Sequence, residues 1–194
     1  MANNKIRIVI ILATSVLIVS CGGAAKKPVL HEWPVYVQIS RTRLSLASLK
    51  TPAPDGCKVH AVDLIGAWVA ANAPEKEPFG FADVDGKGCQ GTFEADVLPL
   101  FDTANLWYSG APSCRTCHGP EVEVSYVRMD LSSYQGILAG KGRESASSKG
   151  EDILGGGSWE QADLYEVLSG RQMPPNQPEG LDPKGPLVNA GVSR

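Results

Sequence analysis

The sequence predicts a mainly α-helical fold: a small helical domain over residues 92–180, preceded by an irregular N-terminal extension over residues 35–91 that holds some β-structure and a disulfide. Two observations predict it. Beyond Thr92, apolar residues recur at helical spacing between cap-forming residues and glycine stops. Upstream, Pro52, Pro54, Pro74 and Pro78 cut the chain into short elements that cannot be long helices. The balance of Lys+Arg 18 against Asp+Glu 21 gives a formal charge of −3, with no basic excess to attract nucleic acid.

The first element, residues 1–20, has the form of an export signal: Lys5 and Arg7 precede an almost unbroken apolar run over residues 8–19. Those twelve residues rise about 18 Å as a helix, against roughly 30 Å of hydrocarbon core, so a stable span is not expected. The run ends in Ile18-Val19-Ser20-Cys21-Gly22, which resembles a bacterial lipoprotein signal and implies that Cys21 is lipidated and becomes the mature N-terminus. The expected location is the outer, periplasmic face of the bacterial cytoplasmic membrane, held there by lipid. Loss of Lys5 and Arg7 with the signal takes the formal charge from −3 to −5.

Residues 21–34 contain Gly-Gly, Ala-Ala, Lys-Lys and two prolines without apolar periodicity, and read as a tether. Residues 36–46 are rich in β-branched and apolar side chains, and residues 61–71 suit either a strand or a short helix. Once Cys21, Cys114 and Cys117 are given other roles, Cys57 and Cys89 remain. In an oxidising compartment that pair is expected to be a disulfide, whose loop of about 33 residues would contribute about 3 to 4 kcal/mol. Asp83-Val84-Asp85-Gly86-Lys87-Gly88 has its glycine too early for an EF-hand loop and reads as a turn.

From residue 92 the signals are regular. Asp96 suits the cap of a helix whose first turn holds Pro99, with Val97, Leu100, Phe101 and Leu106 near one face. Residues 131–138 suit a short helix capped by Ser132 or Ser133 and stopped at Gly140. Ser158-Trp159-Glu160-Gln161 has the form of a capping box, opening a helix with Leu164, Val167 and Leu168 as its buried stripe and Gly170 as its stop. Residues 181–194 show no helical stripe and read as an irregular tail.

Cys114-Arg115-Thr116-Cys117-His118 carries the chemistry. Two thiols two residues apart can each add to a vinyl group of one porphyrin, while the next residue places an imidazole beneath the iron, so the cofactor expected is one covalent haem c. A zinc site would require about four Cys or His ligands, and the others here are scattered; a redox dithiol has no need of His118. For the iron's other face the candidates are Met129, Met173, His31 and His60. Met129, close to Leu131, suits core packing. Met173 follows a helix stop, stands before two prolines and lies 55 residues beyond His118, where a loop has room to cross the opposite face. A thioether there raises the reduction potential relative to a second nitrogen.

Together the haem motif, the helix of residues 161–169 and Gly170-Arg171-Gln172-Met173-Pro174-Pro175 resemble a class I c-type cytochrome domain over residues 92–180. The resemblance implies thioethers from Cys114 and Cys117 and axial ligation by His118 and Met173. Such domains normally end in an amphipathic helix that crosses the first one, and no such helix is legible in residues 179–194; the extension over residues 35–91, or a neighbouring subunit, would then supply the cover. A lipid-anchored monohaem chain with extra N-terminal matter also resembles, in architecture, the small cytochrome subunits of alternative complex III, which oxidises quinol. The function expected is single-electron transfer between a membrane donor and a downstream acceptor, with redox-complex subunits as partners. The alternatives are a haem peroxidase-like enzyme, which needs an open iron position and an acid–base residue, and a structural or sensor haem subunit.

Overall fold

A computed structural model describes residues 56–194. The expected signal at residues 1–20, Cys21, the tether, His31 and the extension up to residue 55 lie outside the described residues.

The expectation of a mainly α-helical fold is corrected. Among the described residues there are four α-helices, none longer than ten residues, and five strands in two sheets. The helices are α1 (Ala61–Ala70), α2 (Leu98–Asp102), α3 (Tyr134–Ala139) and α4 (Asp163–Ser169). The strands are β1 (Cys57–His60), β2 (Phe79–Ala82), β3 (Gly88–Gly91), β4 (Leu187–Ala190) and β5 (Val192–Ser193). Glycine stops α3 at Gly140 and α4 at Gly170, while α1 ends at Ala71 and α2 at Thr103, and the 21 glycines and 14 prolines of the chain favour the connections between these short elements. The segment read as an irregular tail carries β4 and β5. β1 pairs antiparallel with β4, Cys57 opposite Ala190, and β3 lies between β2 and β5. No helix among the described residues is long and apolar enough to cross a membrane.

β1 turns Cys57 and Val59 inward and Lys58 outward, the alternation of a half-buried strand. The chain then enters α1, whose Val62, Leu64, Ile65, Trp68 and Val69 are all buried. No side chain caps α1; the carbonyls of Pro186 and Lys184 accept the first two helical N–H groups at 3.0 Å each, so the C-terminal segment performs the cap. Trp68 tilts over Phe93 at 5.1 Å between ring centroids, and Tyr134 meets Phe93 edge-on at 5.2 Å. α1 thereby joins the chain before Cys114–His118 to the chain after it.

β2 and β3 form a hairpin at the calcium-like run. Asp83 Oδ1 accepts the N–H groups of Asp85 and Lys87 at 3.0 and 2.8 Å, a carboxylate spent on its own turn. The disulfide Cys57–Cys89 is present and buried, linking β1 to β3 and hence the two sheets.

Two cap expectations change. Thr92, not Asp96, is the N-cap: its hydroxyl accepts from Ala95 N–H, while Asp96 reaches back to Thr92 N–H at 2.7 Å and also takes Gly191 N–H at 2.7 Å. A π-helical turn, Phe93–Val97, then leads into α2. Ser158 makes no side-chain cap bond; residues Trp159–Gln161 form a separate 3-10 turn and α4 starts at Asp163. Burial of the Trp159 indole against Gly66 of α1 decides this geometry. Ser133 caps α3 as expected, its hydroxyl accepting Gly136 N–H at 3.0 Å.

Candidate functional site

The sequence motif is held by local hydrogen bonds. Cys114–Thr116 make one 3-10 turn, in which Cys117 N–H and His118 N–H both donate to Cys114 O at 3.2 and 2.9 Å. One tight turn thus sets both thiols and the imidazole along one edge. Leu131 N–H donates to His118 O at 2.8 Å and Tyr126 N–H to Cys117 O at 2.9 Å, which fold the following chain back beneath the histidine. Ser125 Oγ–H donates to Met129 O within that fold-back.

His118 is buried, with Nδ1 3.0 Å from Tyr126 O and its ring edge-on to the Tyr126 ring at 5.9 Å. A carbonyl can only accept, so Nδ1 carries the proton and Nε2 presents its lone pair. Burial lowers the His118 pKa against the raising effect of the Tyr126 carbonyl, which favours the neutral, ligating form. Burial likewise pushes the Cys114 thiol up to about 11. Both Cys114 and Cys117 are free thiols.

These residues open onto one cleft of about 340 Å³, within the range of small-ligand and cofactor sites. Phe101 of α2, Leu164, Val167 and Leu168 of α4, and Leu131 give it apolar walls; no carboxylate, lysine or arginine lines it. Met173, Pro174 and Pro175 close the side reached after α4. Met173 N–H donates to Val167 O at 3.0 Å, Gln177 Nε2 donates to Met173 O at 2.6 Å, and Tyr108 Oη donates to Pro175 O. The backbone on both sides of the thioether is therefore tied down.

The structure brings Cys114, Cys117, His118 and Met173 to this single cleft. Met129 is buried, as its core reading requires, and it also lines the cleft. It belongs to the fold-back that carries the His118 carbonyl partner, whereas Met173 reaches the cleft from the end of α4. His60 stands apart between β1 and α1, its Nδ1 3.1 Å from Gly185 O. Cys57 and Cys89 lie near Asp83, but both sulfurs are consumed by the disulfide. The donor set fits a covalent haem: two unpaired thiols, a neutral imidazole with its outer nitrogen free, and a soft thioether around apolar walls.

Sequence reasoning missed the Tyr126 carbonyl, because a backbone acceptor leaves no residue-type signal. A second cavity of about 410 Å³ lies between Gly56, Gln90, Asp96 and Asn189, with no thiol, imidazole or thioether on its walls. No protein-family model matches the chain, and no curated protein matches it.

Proposed function

We propose that this chain is a lipid-anchored, monohaem electron carrier of class I c-type cytochrome form, acting at the periplasmic face of a bacterial membrane. The observation that carries this reading is the convergence of Cys114, Cys117, His118 and Met173 on one apolar cleft. A haem bound there supplies a one-electron couple.

The chain's own residues do the rest. Cys114 and Cys117 would hold the group as thioethers, and His118 Nε2 and the Met173 thioether would be its ligating atoms, with the Tyr126 carbonyl fixing the His118 ring. Phe101, Leu131, Leu164 and Leu168 exclude water, which together with the soft thioether favours the ferrous state. Peroxidase chemistry calls for an open position and an acid–base side chain. Met173 and its two prolines occupy that side, and the cleft wall holds no carboxylate. Cys21 would keep the carrier at the membrane, near a quinol-linked donor such as a redox-complex subunit, with a downstream protein as acceptor.

Optical spectra of the purified, membrane-derived protein, oxidised and reduced, test the reading beside Met173→Ala. The unmodified protein should show the weak thioether-to-iron charge-transfer band in its ferric state, and the substitution should abolish it. Absence of covalent haem overturns the cofactor assignment. A band that survives Met173→Ala overturns the ligand assignment, and fast peroxide turnover by the unmodified protein promotes the enzyme reading instead.

A further inference from the structure

Residues 123–128 form a largely exposed ridge between buried Val122 and buried Met129. Val124 is 86% exposed, Tyr126 62% and Val127 48%, so three of the seven large apolar side chains that the described residues leave in water fall within four positions and make a patch instead of scattered singles. Tyr126 lines the apolar cleft, and Val127 lines an open groove of about 450 Å³ with Arg128, Lys141, Gly142 and Glu151, so the ridge stands between cleft and groove. Val127 has φ 50° and ψ 21° and Arg128 has φ 49°, the left-handed region that a β-branched side chain adopts at a cost. The fold returns little for it, since Val127 stays half exposed. Gly142 N–H donates to Val127 O at 2.9 Å and Arg143 N–H to Arg128 O at 3.2 Å, which hold the ridge preformed in this shape.

Opposite charges flank the apolar group: Glu121 and Glu123 before it and Arg128 after it, all exposed. None of the ion pairs among the described residues includes any of the three. In the groove, Lys141 is already paired with Asp163 and Glu151, which leaves Arg128 as the unspent base. A surface with acid at one end, base at the other and an apolar centre is complementary to itself after half a turn, because a twofold axis through the centre brings the acid of each copy to the base of the other. The same rotation offers the most exposed side chain, Val124, an opening to enter, the groove beside Val127. A partner surface of one sign would satisfy only one end.

We propose that this ridge is the contact between two copies of the chain, related by a twofold axis, with Val124 of each copy seated in the groove of the other and Glu121 and Glu123 facing Arg128. Three apolar side chains fall well short of the roughly 20–30 residues a side of a standard interface, so the pair is transient. The contact brings two cleft rims together at Tyr126. A second copy is then an electron partner of the first: one loses an electron as the other gains it. That consequence rests on the haem reading above, whereas the contact itself does not.

Sedimentation of the membrane-derived protein in density-matched detergent, over a concentration series, tests the contact. The unmodified protein is expected to shift from monomer towards dimer as concentration rises, and Val124→Asp to remain monomeric. Reversal of the acidic end (Glu121→Lys with Glu123→Lys) or of the basic end (Arg128→Glu) should weaken association about ten-fold, since every pair occurs twice about the axis, and the two reversals together should restore it. A monomer at every concentration overturns the proposal and leaves the ridge to a different protein. Association that all the variants share places the contact elsewhere on the chain and overturns it too, and loss in each reversal without recovery in the combined one overturns the twofold pairing. Should a variant not accumulate, hydrogen exchange of the unmodified protein decides: amides of residues 121–128 that are protected at high concentration and not at low carry the proposal, and equal exchange removes it. Covalent haem measured on the same samples separates the two readings. A dimer without haem keeps the contact and ends the haem reading, and a haem-bearing monomer does the reverse.

Discussion

At the scale of single residues, Gly136 lies against Asp130 with no room for a side chain. An added Cβ there would fall 2.4 Å from Asp130 Oδ2 and 2.7 Å from Asp130 O. Asp130 cannot give way easily, because its carboxylate holds Ser132 and Ser133 and its neighbour Leu131 donates to His118 O. Gly136→Ala is therefore expected to lower stability by about 1 to 3 kcal/mol, the usual cost of forcing atoms into a filled interior. A urea titration checks it, and an unchanged midpoint with an unchanged slope would show that the backbone around Asp130 yields. Because Asp130 adjoins Leu131, whose N–H donates to His118 O, the strain should also alter the thioether charge-transfer band of the haem protein proposed above.

At the scale of elements, α1 and the Trp159–Gln161 turn meet through a missing side chain. A Cβ on Gly66 would fall 2.4 Å from Trp159 Cδ1 and 2.7 Å from Nε1, so the glycine lets the indole lie against the helix. Two effects oppose each other in Gly66→Ala. Helix propensity favours alanine by about 1 kcal/mol, whereas overpacking costs about 1 to 3 kcal/mol. With a ring of limited mobility pressed on the site, overpacking wins, and a net loss of about 1 kcal/mol is expected by thermal or urea unfolding. A gain in stability would mean that Trp159 moves aside at little cost. These elements also show where the sequence was legible. The turn of Cys114–Thr116, the Ser133 cap and the helix ending at Gly170 are read from neighbours in the chain, and the structure keeps their local order. The capping box at Ser158 was a sound local signal, but Trp159 burial against a helix some ninety residues upstream overrode it. Asp96 was read as a cap and instead serves Thr92 and Gly191 together, a partnership with the far end of the chain that no local pattern encodes.

At the scale of the whole described body, the unread part of the fold is non-local strand pairing. β1 takes its partner from β4 and β3 takes one of its own from β5, while α1 takes its N-terminal cap from Pro186 and Lys184. Each strand is too short to announce itself, and each pairing spans about a hundred residues or more, so periodicity within a window cannot reveal it. The Cys57–Cys89 bridge joins the same two strands that the C-terminal segment pairs with. Bridge and segment therefore secure one junction twice. Cys57→Ala with Cys89→Ala is expected to cost about 3 to 4 kcal/mol through the freed loop. Deletion of residues 183–194 removes β4, β5 and the carbonyls that cap α1, and should lower stability by a comparable or larger amount while leaving Cys114, Cys117, His118 and Met173 in the chain. If the junction is shared, the two changes made together should cost less than the sum of the separate losses, since a strand already released cannot be released again. Urea unfolding of the four proteins in a cycle measures that coupling, and a sum that closes to within about 0.5 kcal/mol would show the two devices to be independent. The coupling matters for the site because α1, held at that junction, packs on the Trp159–Gln161 turn and α4, from which the chain runs on to Met173.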